Sequence, residues 1–285
     1  MNPRMRAAAH ARGITGWDHP DASAATLGIS QDAGAEQCDA VLAANRAPAP
    51  VVLPERIALA DDSWRDVLPL ELFVDFETVS NMADDFTRLP AMGGQALIFQ
   101  VGCGWRDGDA WRFAQWTADR LAVEAEGAIL DALTAHVTGL AAARGIDLAH
   151  ARIFHWSPAE TATLDTAYNA ARTRHPERDW PPDLPWFDLL GSVVRAAPVA
   201  VTGTFNFGLK SIAKAMKAAS LIETTWGDGP TDGLGAMTAA WRVDAAAATG
   251  GGNLLDDPLM REVAAYNEVD CRTMAEVLEW LRANR

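Results

Sequence analysis

Cysteine is scarce in this 285-residue chain: Cys38, Cys103 and Cys271 are the only three, and no two of them form a C-x-x-C pair. That excludes a disulfide scaffold and a cysteine-rich zinc site. No run approaches the length of apolar sequence needed to span a bilayer, about 18 residues, and the opening Met1-Asn2-Pro3-Arg4-Met5-Arg6 lacks the apolar stretch of a secretory leader. The G-x-x-x-x-G-K-[ST] phosphate loop, a G-x-G-x-x-G turn after a strand and the G-x-S-x-G nucleophile elbow are all missing, which removes the commonest nucleotide-binding and serine-hydrolase readings. Lysine is rarer still among charged residues. Lys210, Lys214 and Lys217 are the only three of the 24 basic residues, against 38 acids and a formal charge of −14. So acidic a surface is ill suited to gripping duplex DNA over a wide area, although a metal-filled acidic pocket can invert the field locally. Taken together, these absences predict a reduced, cytoplasmic protein with no membrane contact.

What is present is ordinary for a globular chain: 49% hydrophobic and 22% charged residues, with length enough to bury a full core. Residues 1–57 read as a helical N-terminal segment and linker, with helical patterns over 3–12 and 34–46. Pro48, Pro50 and Pro54 then forbid a continuous helix. Residues 58–285 read as one domain. The apolar run 70–76 suits a buried central strand, and 96–105 and 110–116 suit two more, joined at Arg106-Asp107-Gly108-Asp109. Helical periodicity follows over 119–144, a fourth strand is expected at 152–155, and helices at 158–174, 207–219 and 258–281. Residues 186–194 open a further element, and the alanine- and glycine-rich 245–252 reads as a helix end running into a loop. Strands first and helices later predict an α/β layered sheet.

Asp75 and Glu77 close the first of these strands in Asp75-Phe76-Glu77. Alternation puts both carboxylates on one face and Phe76 on the other. Two adjacent carboxylates repel unless a cation lies between them, and the oxygen-preferring Mg²⁺ and Mn²⁺ suit that arrangement. On its own, however, such a triplet is also what two solvated acids at a strand end look like. The last helix contains Tyr266-Asn267-Glu268-Val269-Asp270, where Tyr266 and Asp270 are four apart and share a helical face. A tyrosine hydroxyl there can position a water activated by a metal held on the carboxylate.

These residues resemble the first and third motifs of the ribonuclease-H-like DEDD exonucleases, and tyrosine in place of histidine resembles the DEDDy branch. The chain is most similar to the YprB-like ribonuclease-H-like domain that accompanies predicted RecB-type nucleases. That resemblance rests on Phe73 to Thr78, His155 to Glu160, Gly208 to Ala213 and Tyr266 to Asp270, and covers roughly residues 70–282. Around Arg12-Gly13-Ile14-Thr15 the N-terminal segment is similar to a connecting region ahead of that domain in longer proteins.

The resemblance implies a ribonuclease-H-like mixed sheet flanked by helices. It also implies two-metal hydrolysis of a DNA or RNA 3′ end in the 3′→5′ direction. Asp75 would bridge two Mg²⁺ or Mn²⁺ ions, Glu77 and Asp270 would complete the nucleophile-side ion, Glu160 would hold the other, and Tyr266 would orient the attacking water. The second motif departs from the family pattern, with His155 for asparagine and Glu160 for aspartate at the same five-residue interval. Asp188 is therefore an alternative ligand. A ribonuclease-H-like module that binds nucleic acid or a partner without cutting it is the alternative function.

Lys210, Lys214 and Lys217 fall at spacings of four and three on one expected helix, just after Phe205-Asn206-Phe207-Gly208. Charges beside aromatics suit the backbone and bases of a single strand, so these lysines and His155 are candidate substrate contacts. Arg172, Arg174, His175 and Arg178 are expected to extend the basic track. A single-stranded terminus is the expected substrate, and a nuclease or helicase the expected protein partner.

Overall fold

The computed structural model describes residues 2–79, 97–156, 164–181, 184–227, 233–250 and 252–285. In chain order the elements are α1 (Pro3–Ala11), α2 (Asp32–Arg46), β1 (Val52–Leu53), β2 (Leu70–Val79), β3 (Leu97–Asp107), β4 (Ala110–Thr117), α3 (Val123–Ala143), β5 (Ala151–His155), α4 (Leu164–Arg174), β6 (Trp186–Asp188), β7 (Ala200–Val201), α5 (Leu209–Ala218), α6 (Gly233–Gly250) and α7 (Pro258–Asn284). Contacts divide the chain into two compact units. The first holds Met1–Asp66, Leu189–Glu223 and Val277–Arg285; the second holds Val67–Asp188 and Thr224–Glu276.

The second unit is built on a five-stranded sheet in the order β4-β3-β2-β5-β6. β3 runs antiparallel to β2 and to β4, whereas β5 is parallel to β2 and β6 parallel to β5. The parallel neighbours β2 and β5 need a crossover connection, and α3 forms part of it, between β4 and β5. Central β2 is buried, and its outward alternation explains the core. Leu70, Leu72 and Val74 join Ile153 of β5, Leu130, Leu133 and Val137 of α3, Tyr168 of α4 and Ala240 of α6 in one hydrophobic cluster. Helices thus flank a mixed sheet, the α/β architecture expected from the sequence. The expected strand 70–76 extends to Val79, and 186–194 divides into the short β6 and a π-helical turn at Leu190–Arg195.

In the first unit, β1 pairs antiparallel with β7. Asn45 and Arg46, the last residues of α2, do most of the stitching. Asn45 accepts from Gly203 N and donates to Thr204 O, at 2.9 and 2.8 Å. Arg46 donates to the carbonyls of Trp17, His19 and Ala22 at 2.7–2.9 Å. No helix among the described residues is long and apolar enough to cross a membrane.

Candidate metal centre

β2 and α7 bring the two sequence motifs together. Asp75, Glu77 and Asp270 each offer a carboxylate oxygen, and these atoms all lie within 4.8 Å of one another. Glu77 and Asp270 are buried, at 7% and 5% exposure. Three carboxylates so close, two of them buried, oppose folding when ionised: each pair costs on the order of 3 kcal/mol at an effective dielectric near 20. A cation removes that cost, and an all-carboxylate donor set favours a hard, oxygen-binding ion.

The backbone aims these groups. In β2 Asp75 pairs with Gly102 and Glu77 with Gln100, and the register shifts between Glu77 and Thr78. A bulge at that place bends the strand and re-aims the side chains beside it. Opposite, α7 presents Asn267, fully buried, one turn before Asp270. Asn267 Nδ2 donates to Asp75 Oδ2 at 3.0 Å. Room for the amide comes from Gly102, where a Cβ would collide with Asn267 Oδ1.

Trp226 adds a second support. Its Nε1 donates to Asp270 Oδ1 at 3.1 Å, and its ring lies 6.3 Å from that of Tyr266. The preceding Thr224 is tied to Glu276 by its backbone N–H, at 2.8 Å, and by its hydroxyl. The segment from Thr224 to Trp226 is therefore fixed along α7 at two points. Cys271, next to Asp270, has its thiol pushed well above the usual range, first by burial and then by the negative charge of Asp75.

The other candidates are placed as follows. Tyr266 is buried and sits one turn before Asp270 on α7. His155 ends β5, is 1% exposed, and has its ring 6.1 Å from that of Trp186. In the sheet register it pairs with Asp188; both belong to the alternation of Ile153 and Trp186, the core-facing set. One Asp188 oxygen, Oδ1, is buried without a hydrogen-bond partner among the described residues. Glu160 lies outside the described residues.

Lys210, Lys214 and Lys217 all lie on α5, whose opposite face buries Ile212, Ala213 and Met216. Lys214 is exposed, and Lys217 Nζ pairs with Glu223 at 3.1 Å. The expected extension through Arg174 and Arg178 does not hold. Arg174 and His175 surround the fully buried Glu126, and Arg178 is paired with Asp131. A buried carboxylate left alone costs several kcal/mol, so these cations serve the fold.

Asn267, Gly102 and Trp226 were not singled out from the sequence. Asn267 stood inside the quoted motif, flanked by the residues with recognisable chemistry. Gly102 had a signal as a glycine inside a strand pattern, where close backbone approach is a standing explanation.

Comparison with curated proteins gives no match, and comparison with solved structures gives none. A sequence model of the RNase H superfamily matches residues 72–282, a span that includes the sheet, the acidic cluster and α7 to its last turns. The chain belongs to the RNase H superfamily.

Proposed function

We propose that the chain is a metal-dependent nuclease that hydrolyses phosphodiester bonds of DNA or RNA, as a 3′→5′ exonuclease of the DEDDy type using two Mg²⁺ or Mn²⁺ ions. The observation that carries this reading is the convergence of Asp75, Glu77 and Asp270 within 4.8 Å. Nothing in hydrophobic packing asks for it, and like charges resist it.

The donor chemistry fits a hard divalent ion, with Asp75, Glu77 and Asp270 as holders and Glu160 as the further ligand. When bound, such ions acidify water and neutralise charge on the leaving oxygen. The chain's own residues supply placement. Tyr266 orients the attacking water from the turn of α7 before Asp270. His155 hydrogen-bonds a phosphate of the strand or a carboxylate of the site. The lysines of α5 hold the phosphates of a single-stranded 3′ end, and residues 1–57 dock a nuclease or helicase partner.

The test compares the wild type with Asp75→Asn on end-labelled DNA and RNA single strands, with Mg²⁺, with Mn²⁺ and with chelator. Mononucleotide release is expected only from the wild type with metal. Internal cuts would replace the exonuclease assignment with an endonuclease one. Equal activity of the two proteins would remove the metal-centre reading. Retained strand binding without any cleavage would establish the non-catalytic module instead.

A further inference from the structure

Trp17 and Phe205 carry little local reason to be where they are. Both are exposed, at 44% and 53%, in a chain whose other described exposed large hydrophobics are aliphatic. The two rings touch, with centroids 5.4 Å apart and planes inclined by 58°. They come from the N-terminal segment and from the turn after β7, so the pairing is tertiary.

The platform is also held rigidly. Consecutive residues at the end of α2 fix its two halves: Arg46 takes the carbonyls of Trp17, His19 and Ala22, and Asn45 takes Gly203 and Thr204, next to Phe205. Gly203 adopts a φ of +93°, a conformation that side chains resist. Two exposed rings fixed by charged and amide anchors lose little freedom on meeting a ligand.

From this platform the chain runs directly into α5, which carries every lysine in a chain of net charge −14. Phe205 precedes Lys210 by five residues and the exposed Lys214 by nine. Asp18 follows Trp17 in the chain, and Glu223 holds Lys217 at 3.1 Å. Exposed apolar rings followed in the chain by the lysine-bearing helix match a single polynucleotide strand, whose bases stack while its phosphates follow the cations. A duplex hides its base faces and gains nothing from exposed rings.

We propose that Trp17 and Phe205 form a base-stacking platform for single-stranded nucleic acid, with Lys210 and Lys214 taking the adjoining phosphates. The platform gives the N-terminal segment a part in substrate capture. It deepens the nuclease reading and rests on it for the identity of the ligand, but its binding step needs no metal.

Binding of fluorescein-labelled dT and rU oligomers of about 15 nucleotides is measured by anisotropy, in chelator and on the Asp75→Asn background so that nothing is cut. The paired substitution Trp17→Ala with Phe205→Ala is expected to weaken both oligomers about tenfold or more. Trp17→Phe keeps a ring and is expected to restore most of the affinity. Lys214→Gln is expected to flatten the salt dependence by about 0.7 in log–log slope, one phosphate's worth for a single strand. Circular dichroism checks folding, and quenching of the fluorescence difference between wild type and Trp17→Phe locates the strand without a truncating variant.

Unchanged affinity in the paired variant, equal losses on duplex DNA, or an effect confined to self-association in sedimentation would each overturn the platform. Failure of the wild type to cleave, with strand binding and its loss intact, would overturn the nuclease reading and leave the platform standing.

Discussion

Asn267 donates its side-chain amide to the carboxylate of Asp75 at 3.0 Å, across 192 positions of sequence. The amide is fully buried, and this bond links α7 directly to the central strand at the acidic cluster. Truncation removes this donor from the carboxylate of Asp75. Asn267→Ala is expected to lower stability by about 1–3 kcal/mol in urea titrations with chelator, with Mn²⁺ affinity by calorimetry falling alongside. Unchanged affinity would mean that Asp75 needs no such guide.

Gly102 lies opposite Asp75 in the sheet, and a Cβ there would meet Asn267 Oδ1 and, at 3.0 Å, Phe113 Cζ. Asn267 is fully buried. Gly102→Ala is expected to cost about 1–3 kcal/mol by overpacking, and to cost less when introduced into Asn267→Ala. Non-additivity in that double-mutant cycle is the measurement.

Trp226→Phe keeps a ring against Tyr266 but removes the N–H that holds Asp270 Oδ1. A hydrogen bond to a charged group is worth about 1.5–3 kcal/mol, and here it acts on a carboxylate assigned to the metal. We expect Mn²⁺ affinity to drop several-fold with a smaller loss of thermal stability. An altered zero-field splitting in the Mn²⁺ resonance spectrum would separate repositioned oxygens from general loosening.

His136 is packed between Trp105 and Trp116, with centroids at 4.8 and 5.2 Å, and burial lowers its pKa from 6.5. The unfolded chain therefore binds this proton at a higher pH than the folded one. The contribution is harmless above the unfolded value and turns destabilising as pH falls through it. Urea midpoints from about pH 8 down to about pH 5 should decline more steeply for the wild type than for His136→Gln. Parallel curves would assign the acid sensitivity elsewhere.

Thiol chemistry offers a check on the core. Burial pushes Cys103 up to about 12 and Cys271 well above its ordinary value, while Cys38 is only partly buried. Thiolate is the reactive form. Slow alkylation near pH 8 should modify Cys38 alone in the native protein and all three in denaturant. Rapid native labelling of Cys271 would show that α7 opens.

Legibility in the sequence followed the reach of each signal. Asp75 and Glu77 could be read because strand alternation is local, and Tyr266 and Asp270 because four residues make one helical turn. Their meeting could be inferred only from resemblance, since no periodicity spans that separation. β1 and β7, at two residues each, are too short to carry a pattern and exist only as partners. α6 was seen only at its alanine-rich end: Ala236, Met237, Ala239, Ala240 and Val243 share its buried face, but Leu234, Trp241 and Ala245 carry apolar character round to the other side, so no polar contrast marks the stripe. The arginines near 174 and 178 looked like a substrate track because sequence cannot reveal that Glu126 and Asp131 already hold them.

The gathering of every lysine onto α5 also gives the molecule a chemical address. Reagents that acylate ε-amines find targets on a single helix, so a succinimidyl dye would mark that helix, together with the α-amine of the chain, and leave the carboxylate cluster chemically intact.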